Sequence, residues 1–589
     1  MSSVSRFGLT IALIFATAGF VRADDRAAKK ALNAMFEDYW QFRLKRAPEW
    51  ATYLGDHRYD DKISDYSAAG RDSNLVTMRQ FQDRLRAIDQ KSLSPADQLN
   101  ADVFARIVGE ELDAANWPEH LMPIRQQNSP QIALGMIRVT HPFKTLHDYE
   151  NYAKRLKAFP KQVDDLIAWM EEGIKKGVVR PKITIEQALP QIDAMITERI
   201  EDCQLYEPAK TLPEEFKTHP YTTSQDPKAL VAIGTAEAMG GLKKLRSYLR
   251  ETYLPKCRDT VGYCELPNGR AWYQRLAKYH TTTDLTPAEI HQIGLNELKR
   301  IHAEMVKIAR EVGFDGDAKA FIDKMRADPK QHNTNAADMM RRHREILRRS
   351  DAQLPKLFGR LPKTPYELKE IESFRAAAAP DAYYYEAPED NSRPAYFYVN
   401  VYKPETRPIY TMEALAYHEA MPGHHLQIAL AREHSEWPAF RRFTAVTAFI
   451  EGWGLYSESL GFDLGGYKDP YSRFGALTFD AWRASRLVVD TGMHDMGWTR
   501  QQAIDFMKAN TGLSEQNIIS EVDRYIAWPG QALAYTIGKL EILKLRAECE
   551  RRLGAKFDIR QFHDELLGEG SLPLNTLRDR MTRWAEGKR

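Results

Sequence analysis

Four of the sixteen histidines fall between His418 and His434, in a run that reads Ala416-Tyr417-His418-Glu419-Ala420-Met421-Pro422-Gly423-His424-His425-Leu426-Gln427. A His-Glu pair with a second histidine one helical turn on can bind zinc through both imidazoles and aim the glutamate at a metal-held water. The spacing here departs from that plain form, because position 422 is Pro. On a regular helix His418 and His424 would lie about 9 Å apart along the axis and on different faces; His418 and His425 would share a face at about 10.5 Å. Neither suits two nitrogens each about 2.1 Å from one ion. Pro422 removes a backbone donor and Gly423 admits unusual dihedrals. A bulge or kink over Ala420–Gly423 would absorb the two extra residues and carry His424 to the second ligand's place.

A zinc site needs a third ligand. Glu451 sits in Ala448-Phe449-Ile450-Glu451-Gly452-Trp453-Gly454-Leu455-Tyr456-Ser457-Glu458, among apolar neighbours where a carboxylate requires a partner. A metal would satisfy it; so would a buried ion pair with Arg486. Glu458, two turns on, is the competing ligand or an acceptor that orients a ligand histidine. His494 lies one turn after Asp490, close enough for the two to hydrogen-bond, and is a candidate for contacting substrate. Arg486, Arg524 and Lys539 are candidate anchors for a substrate carboxylate.

Helices must position most of these residues. Leu156, Phe159, Val163, Leu166, Met170 and Ile174 recur at helical steps, and similar patterns cover Leu285–Glu311, Ala336–Arg349 and Ala532–Arg552. Thr286-Pro287-Ala288-Glu289 is a helix start with a capping box. The aromatic, β-branched run Ala395–Tyr402 reads as a strand just before the histidine helix. Its segment Tyr396–Tyr402 could take an extended peptide as an added strand, with Asn400 and Arg393 lining the cleft.

The whole chain bounds the possibilities. It has 589 residues, 83 Lys plus Arg against 81 Asp plus Glu, and a net charge of +2. That balance argues against nucleic acid and polybasic membrane binding. The length exceeds what one core supports, so two lobes are expected, 24–269 and 270–589. Residues 1–23 carry Arg6, an apolar run to Phe20 and a small residue before Asp24, the pattern of a cleaved signal peptide. No cysteine follows the run to take a lipid, and no later stretch is apolar enough to span a membrane. The expectation is a periplasmic or secreted protein with no membrane attachment after cleavage. Export permits disulfides, and Cys257 with Cys264 could close a short loop. The oligomeric state is not legible.

His418-Glu419 through Pro422-Gly423-His424-His425-Leu426-Gln427, with Glu451-Gly452-Trp453-Gly454, resembles the bacterial family known as domain of unknown function 885, which carries an HExxPGHHLQ signature and is grouped with the gluzincin zinc peptidases. The likeness covers most of the mature chain, including Thr281–Gly294 and Tyr525–Lys539. More distantly the chain is similar to thimet oligopeptidase, angiotensin-converting enzyme and the Taq-type carboxypeptidases. The resemblance implies a mainly α, two-lobed, zincin-like fold with a small sheet beside the active-site helix. It implies one Zn²⁺ held by His418, His424 and Glu451. Dipeptidyl peptidase III has a motif one residue longer than the plain form and also ends Gly-His, a series that favours His424 over His425. Glu419 would be general base, and Tyr535, or Tyr525, would stabilise the oxyanion. The expected activity is hydrolysis of short or unfolded peptides. A metal-dependent hydrolase of another amide or ester, and a non-catalytic zinc protein with His425 as fourth ligand, are the alternatives.

Overall fold

The structure, a computed structural model, describes residues 23–217, 226–372, 376, 379–388 and 393–588. The expected signal peptide, 1–23, lies outside them but for its last residue. The described chain is mainly helical with one small sheet.

Three amphipathic helices begin it: α1 (Ala23–Arg46), α2 (Ala68–Arg86) and α3 (Pro95–Ala114). The long α4 (Leu146–Lys176) follows from a Thr145/Asp148 capping box, and its apolar face packs on α5 (Pro227–Tyr248). Next come α6 (Gly269–Thr281) and α7 (Pro287–Glu311). The start of α7 has the reciprocal bonds that Thr286 and Glu289 promise: Thr286 Oγ1 accepts from Glu289 N–H at 3.3 Å, and Glu289 Oε2 accepts from Thr286 N–H at 2.8 Å. Then come α8 (Ala336–Asp351) and a three-stranded sheet of β1 (Tyr366–Glu370), β2 (Ala382–Tyr385) and β3 (Ala395–Val399).

The strand order is β1-β3-β2, with β1 parallel and β2 antiparallel to β3. The strand expected at 395–402 is therefore the central one, and both of its edges are used. It ends at Val399 because Asn400 turns inward: its side-chain amide donates to the carbonyls of Ala376, Ala379 and Pro380 at 2.7–3.1 Å. Phe397 and Val399 pack under the sheet with Tyr417 of the next helix.

The histidine run forms two helices, α9 (Met412–Glu419) and α10 (His424–Arg432). Then come α11 (Thr447–Leu460), α12 (Pro470–His494), α13 (Glu515–Ala527), α14 (Ala534–Leu553) and α15 (Leu574–Gly587).

The apolar core is divided. One cluster lies within Ile124–Tyr253, built on α4 and α5. The largest crosses residue 269: Phe36 of α1 and Phe104 of α3 meet Phe440, with ring centroids 4.6 and 5.4 Å apart, and the same core runs on into α11, α14 and α15. Among the described residues no helix is long and apolar enough to cross a membrane. All four cysteines are free thiols. The Cys257–Cys264 link is not formed: Cys257 packs against the α4–α5 core, while Cys264 Sγ points at Met493 O, 3.7 Å away.

Candidate metal centre

The helix breaks where Pro422 and Gly423 require it. α9 stops at Glu419, Ala420–Gly423 make a turn, and α10 starts at His424. A side chain at 423 would strike the carbonyl oxygens of Tyr417 and His418, so the fold-back needs glycine. The break brings the His418 and His424 rings to 4.7 Å between centroids at 85°.

Glu451 comes from α11. Its Oε2 lies 3.6 Å from His418 Nε2 and 3.5 Å from His424 Nε2. All three ligand atoms lie within 4.8 Å of one another. A tetrahedral ion with bonds of about 2.1 Å has ligand–ligand edges of about 3.4 Å, so the two measured edges fit one. Burial would raise the Glu451 carboxyl, but His418 and His424 outweigh it and hold it well below the usual range. Arg486 is not its partner: its Nη2 donates to Glu521 Oε2 at 2.9 Å.

The motif residues around the ligands each have a contact that explains them. His418 Nδ1 lies 2.8 Å from Glu458 Oε1. A carboxylate only accepts, so Nδ1 carries the proton and Nε2 is left for a metal. Glu458 thus fixes the His418 ring and lies outside the cluster of ligand spacing, and Arg483 Nη2 sits 3.4 Å from the same oxygen. Gln427 lies 2.9 Å from His424 Nδ1 and donates to Ile450 O at 2.9 Å. Its Oε1 is buried without a partner among the described residues. Turning that amide over would offer Oε1 to a His424 Nδ1–H, the tautomer that leaves Nε2 for a metal, but would give up the bond to Ile450 O.

Trp453 Nε1–H donates to Pro422 O at 2.9 Å and reaches Gly423 O at 3.3 Å, which ties the break to α11. At Gly454 a Cβ would lie 2.8 Å from His418 Cε1. Gly452 meets Gly538 backbone to backbone, so α14 lies close against α11 and Tyr535 reaches the cluster. The Tyr535 ring stacks on His418 at 6.3 Å and 20°, with the Arg486 guanidinium 4.2 Å from its centre. Burial and the Glu451 charge raise its phenol, which keeps it a hydrogen-bond donor.

Glu419, half-buried, follows His418 directly, and its Oε2 accepts from Tyr384 N–H at 2.9 Å. That amide lies on the edge of β2 not used by β3. The edge presented to the cluster is therefore β2's, not that of Tyr396–Tyr402.

Other expected site residues are engaged elsewhere. His425 lies outside the cluster: Nε2 lies 3.1 Å from Thr364 O and Nδ1 3.2 Å from the Tyr384 hydroxyl. His494 is fully buried between Tyr263 N–H and Tyr525 O at 3.3 and 3.1 Å, and burial pushes it down to about 3. Asp490 bonds not to His494 but to the Tyr273 hydroxyl at 2.6 Å and Gly530 N–H at 3.0 Å. The Tyr525 hydroxyl donates to Glu521 at 2.6 Å and accepts from Arg486 Nε and Trp482 Nε1. That leaves it no bond for an oxyanion, so Tyr535 is the better donor. Lys539 is paired with Asp480. Arg393 stacks on Tyr385 and Tyr396, 4.3 and 5.3 Å from the ring centres.

Fold and centre together define a class: a mainly helical protein with a His-His-Glu cluster of metal-ligand spacing at a broken helix, and a carboxylate beside it on a strand edge. The chain matches the family described as "Bacterial protein of unknown function (DUF885)" over residues 48–581, and it belongs to that family. No curated protein matches. The chain is similar to a crystal structure of a candidate lipoprotein from Colwellia psychrerythraea, at 26% identity and a TM-score of 0.89, covering 95% of this chain and all of that one. It also shares the fold of a candidate lipoprotein of unknown function from Shewanella oneidensis, at 18% identity and a TM-score of 0.73, covering 94% of this chain and 99% of that one.

Proposed function

We propose that the protein is an exported zinc metallopeptidase of zincin-like fold that hydrolyses peptide bonds in short or unfolded peptides. The observation that carries the reading is the pairing of two features. His418, His424 and Glu451 converge with tetrahedral spacing, and the Glu419 carboxylate lies beside them on a strand edge. Bound there, zinc supplies Lewis acidity to a carbonyl and to a water. Glu419 takes a proton from the attacking water and delivers it to the departing amine nitrogen. Tyr535 donates a hydrogen bond where negative charge develops on the carbonyl oxygen. The edge of β2 that β3 leaves open, apart from the Tyr384 N–H already bonded to Glu419, holds the peptide extended.

A closed four-ligand site is disfavoured, since His425 is committed to Thr364 and Tyr384. Export is supported by the N-terminal leader pattern and by the two similar structures, both described as candidate lipoproteins. The test is incubation of the zinc-loaded protein with a mixed peptide library, with and without a chelator, beside Glu419→Gln. Chelator-sensitive cleavage that the variant lacks is expected. Equal cleavage by both proteins would end the mechanism, and turnover of esters or non-peptide amides alone would move the reading to another hydrolase.

A further inference from the structure

The walls of the cluster carry unequal charge. Arg483 faces Glu458, and Glu451 with Glu419 balances a divalent ion. On the Tyr535 side, however, Arg486 and Arg524 share one carboxylate: Glu521 Oε2 accepts from them at 2.9 and 3.1 Å. The two arginine side chains are only 4% and 13% exposed, and Arg486 Nη1 has no partner among the described residues. A buried cation lacking its own anion is unfavourable, so this wall calls for one negative charge from a ligand.

The wall also has a direction. Asn517, Glu521 and Arg524 recur at i, i+4 and i+7 and so share one face of α13. Asn517 donates to Asp381, just before β2, at 3.2 Å. Arg524 Nη1 donates to Gln531, beside Tyr535, at 2.7 Å. This face closes the cleft at the head of β2. At the tail, Tyr384 and Glu386–Pro388 open into a cavity of about 320 Å³ with Arg432 and Phe443 across it. A peptide laid antiparallel on the edge of β2 that β3 leaves open runs from the cavity to α13 and arrives carboxyl end last. Laid parallel, it would bring a cationic amino terminus to the surplus guanidinium.

We infer that the site takes peptides by their free C-terminal carboxylate, anchored by Arg524 with Arg486 behind it. The inference deepens the peptidase reading and rests on it for the path of the chain. Hydrolysis would then release residues from the carboxyl end: water oxygen joins the carbonyl carbon, the C–N bond breaks, and the proton ends on the departing amine.

The test is calorimetric titration of zinc-loaded Glu419→Gln protein with Ala-Ala-Phe as free acid and as C-terminal amide. Arg524→Gln and Arg524→Lys are tested in the same background. Wild-type digests of the same peptides are read by mass spectrometry. The free acid should bind at least tenfold more tightly than the amide. Arg524→Gln should bring that ratio to within twofold, and Arg524→Lys should restore part of it. Equal binding, no binding of the acid, or an unchanged ratio in Arg524→Gln overturns the anchor. Acid-selective binding without any wild-type cleavage would uphold the anchor and remove the peptidase reading instead.

Discussion

Gly454→Ala probes the support of the His418 ring. A Cβ at 454 would stand 2.8 Å from His418 Cε1 and 2.9 Å from Nε2, whereas ordinary contact begins at 3.4 Å. The ring must therefore retreat by about 0.6 Å, while metal–ligand distances tolerate about 0.2 Å. It has no easy way to do so, since Glu458 holds Nδ1 at 2.8 Å and Tyr535 stacks on the ring. Position 454 is inside α11, where alanine is favoured over glycine by about 1 kcal/mol. Zinc affinity should fall about 10- to 100-fold, the usual effect of disturbing a ligand's support. The metal-free protein should also lose some stability, since overpacking costs about 1–3 kcal/mol against that gain in helix propensity. A competitive titration with a chromophoric chelator reads the first quantity and calorimetry the second. Zinc affinity within twofold of wild type would refute the placement of His418 as a ligand.

Three further outcomes follow from the same contacts. Glu419→Gln should bind zinc within a fewfold of wild type yet lose about 10²–10⁴ in kcat; parallel loss of metal in elemental analysis would make Glu419 a ligand instead. Without metal, burial would lower the His418 imidazole, but Glu451 and Glu458 outweigh it and hold it at about 9. Zinc must displace that proton, so zinc affinity measured from pH 9 to pH 6 should fall about tenfold per unit, and a flat profile would count against it. Burial raises Asp490 from 3.8 to about 7 against the bonds from Tyr273 and Gly530. A folded value above the unfolded one means the contribution is full below pH 3.8 and lost as pH rises through about 7. Relative to Asp490→Asn, wild type should lose up to about 4 kcal/mol of stability between pH 4 and pH 8, and parallel denaturant curves at both pH values would contradict this.

The His-His-Glu cluster was legible because His, Glu, Pro and Gly each carry a local constraint: a donor type, a lost N–H, a permitted backbone. His418, Glu451 and the break at Pro422-Gly423 follow from those. What was not legible depends on partners distant in sequence. Trp453 and Gly454 matter because α9 lies against α11, and no local pattern says so. His425 and His494 have the same ring as His418, yet Thr364, Tyr384, Tyr263 and Tyr525 occupy their nitrogens. The run Ala395–Tyr402 has strand composition but does not reveal its rank in the sheet, so β2, a short tyrosine run, was missed as the exposed edge. The role of Glu521 rests on Arg486 of another helix, which no local pattern joins to it. The cysteines at 257 and 264 are close in sequence, yet each turns to a different neighbour.

X-ray absorption at the zinc edge of the purified, zinc-loaded protein tests the central claim most directly. One zinc per chain is predicted, with two imidazole nitrogens, a carboxylate oxygen and a further light-atom ligand in the inner sphere, and with the imidazole count falling from two to one in His424→Ala but not in His425→Ala. A protein that takes up no stoichiometric zinc, or one whose spectrum changes with His425 and not with His424, would contradict the account.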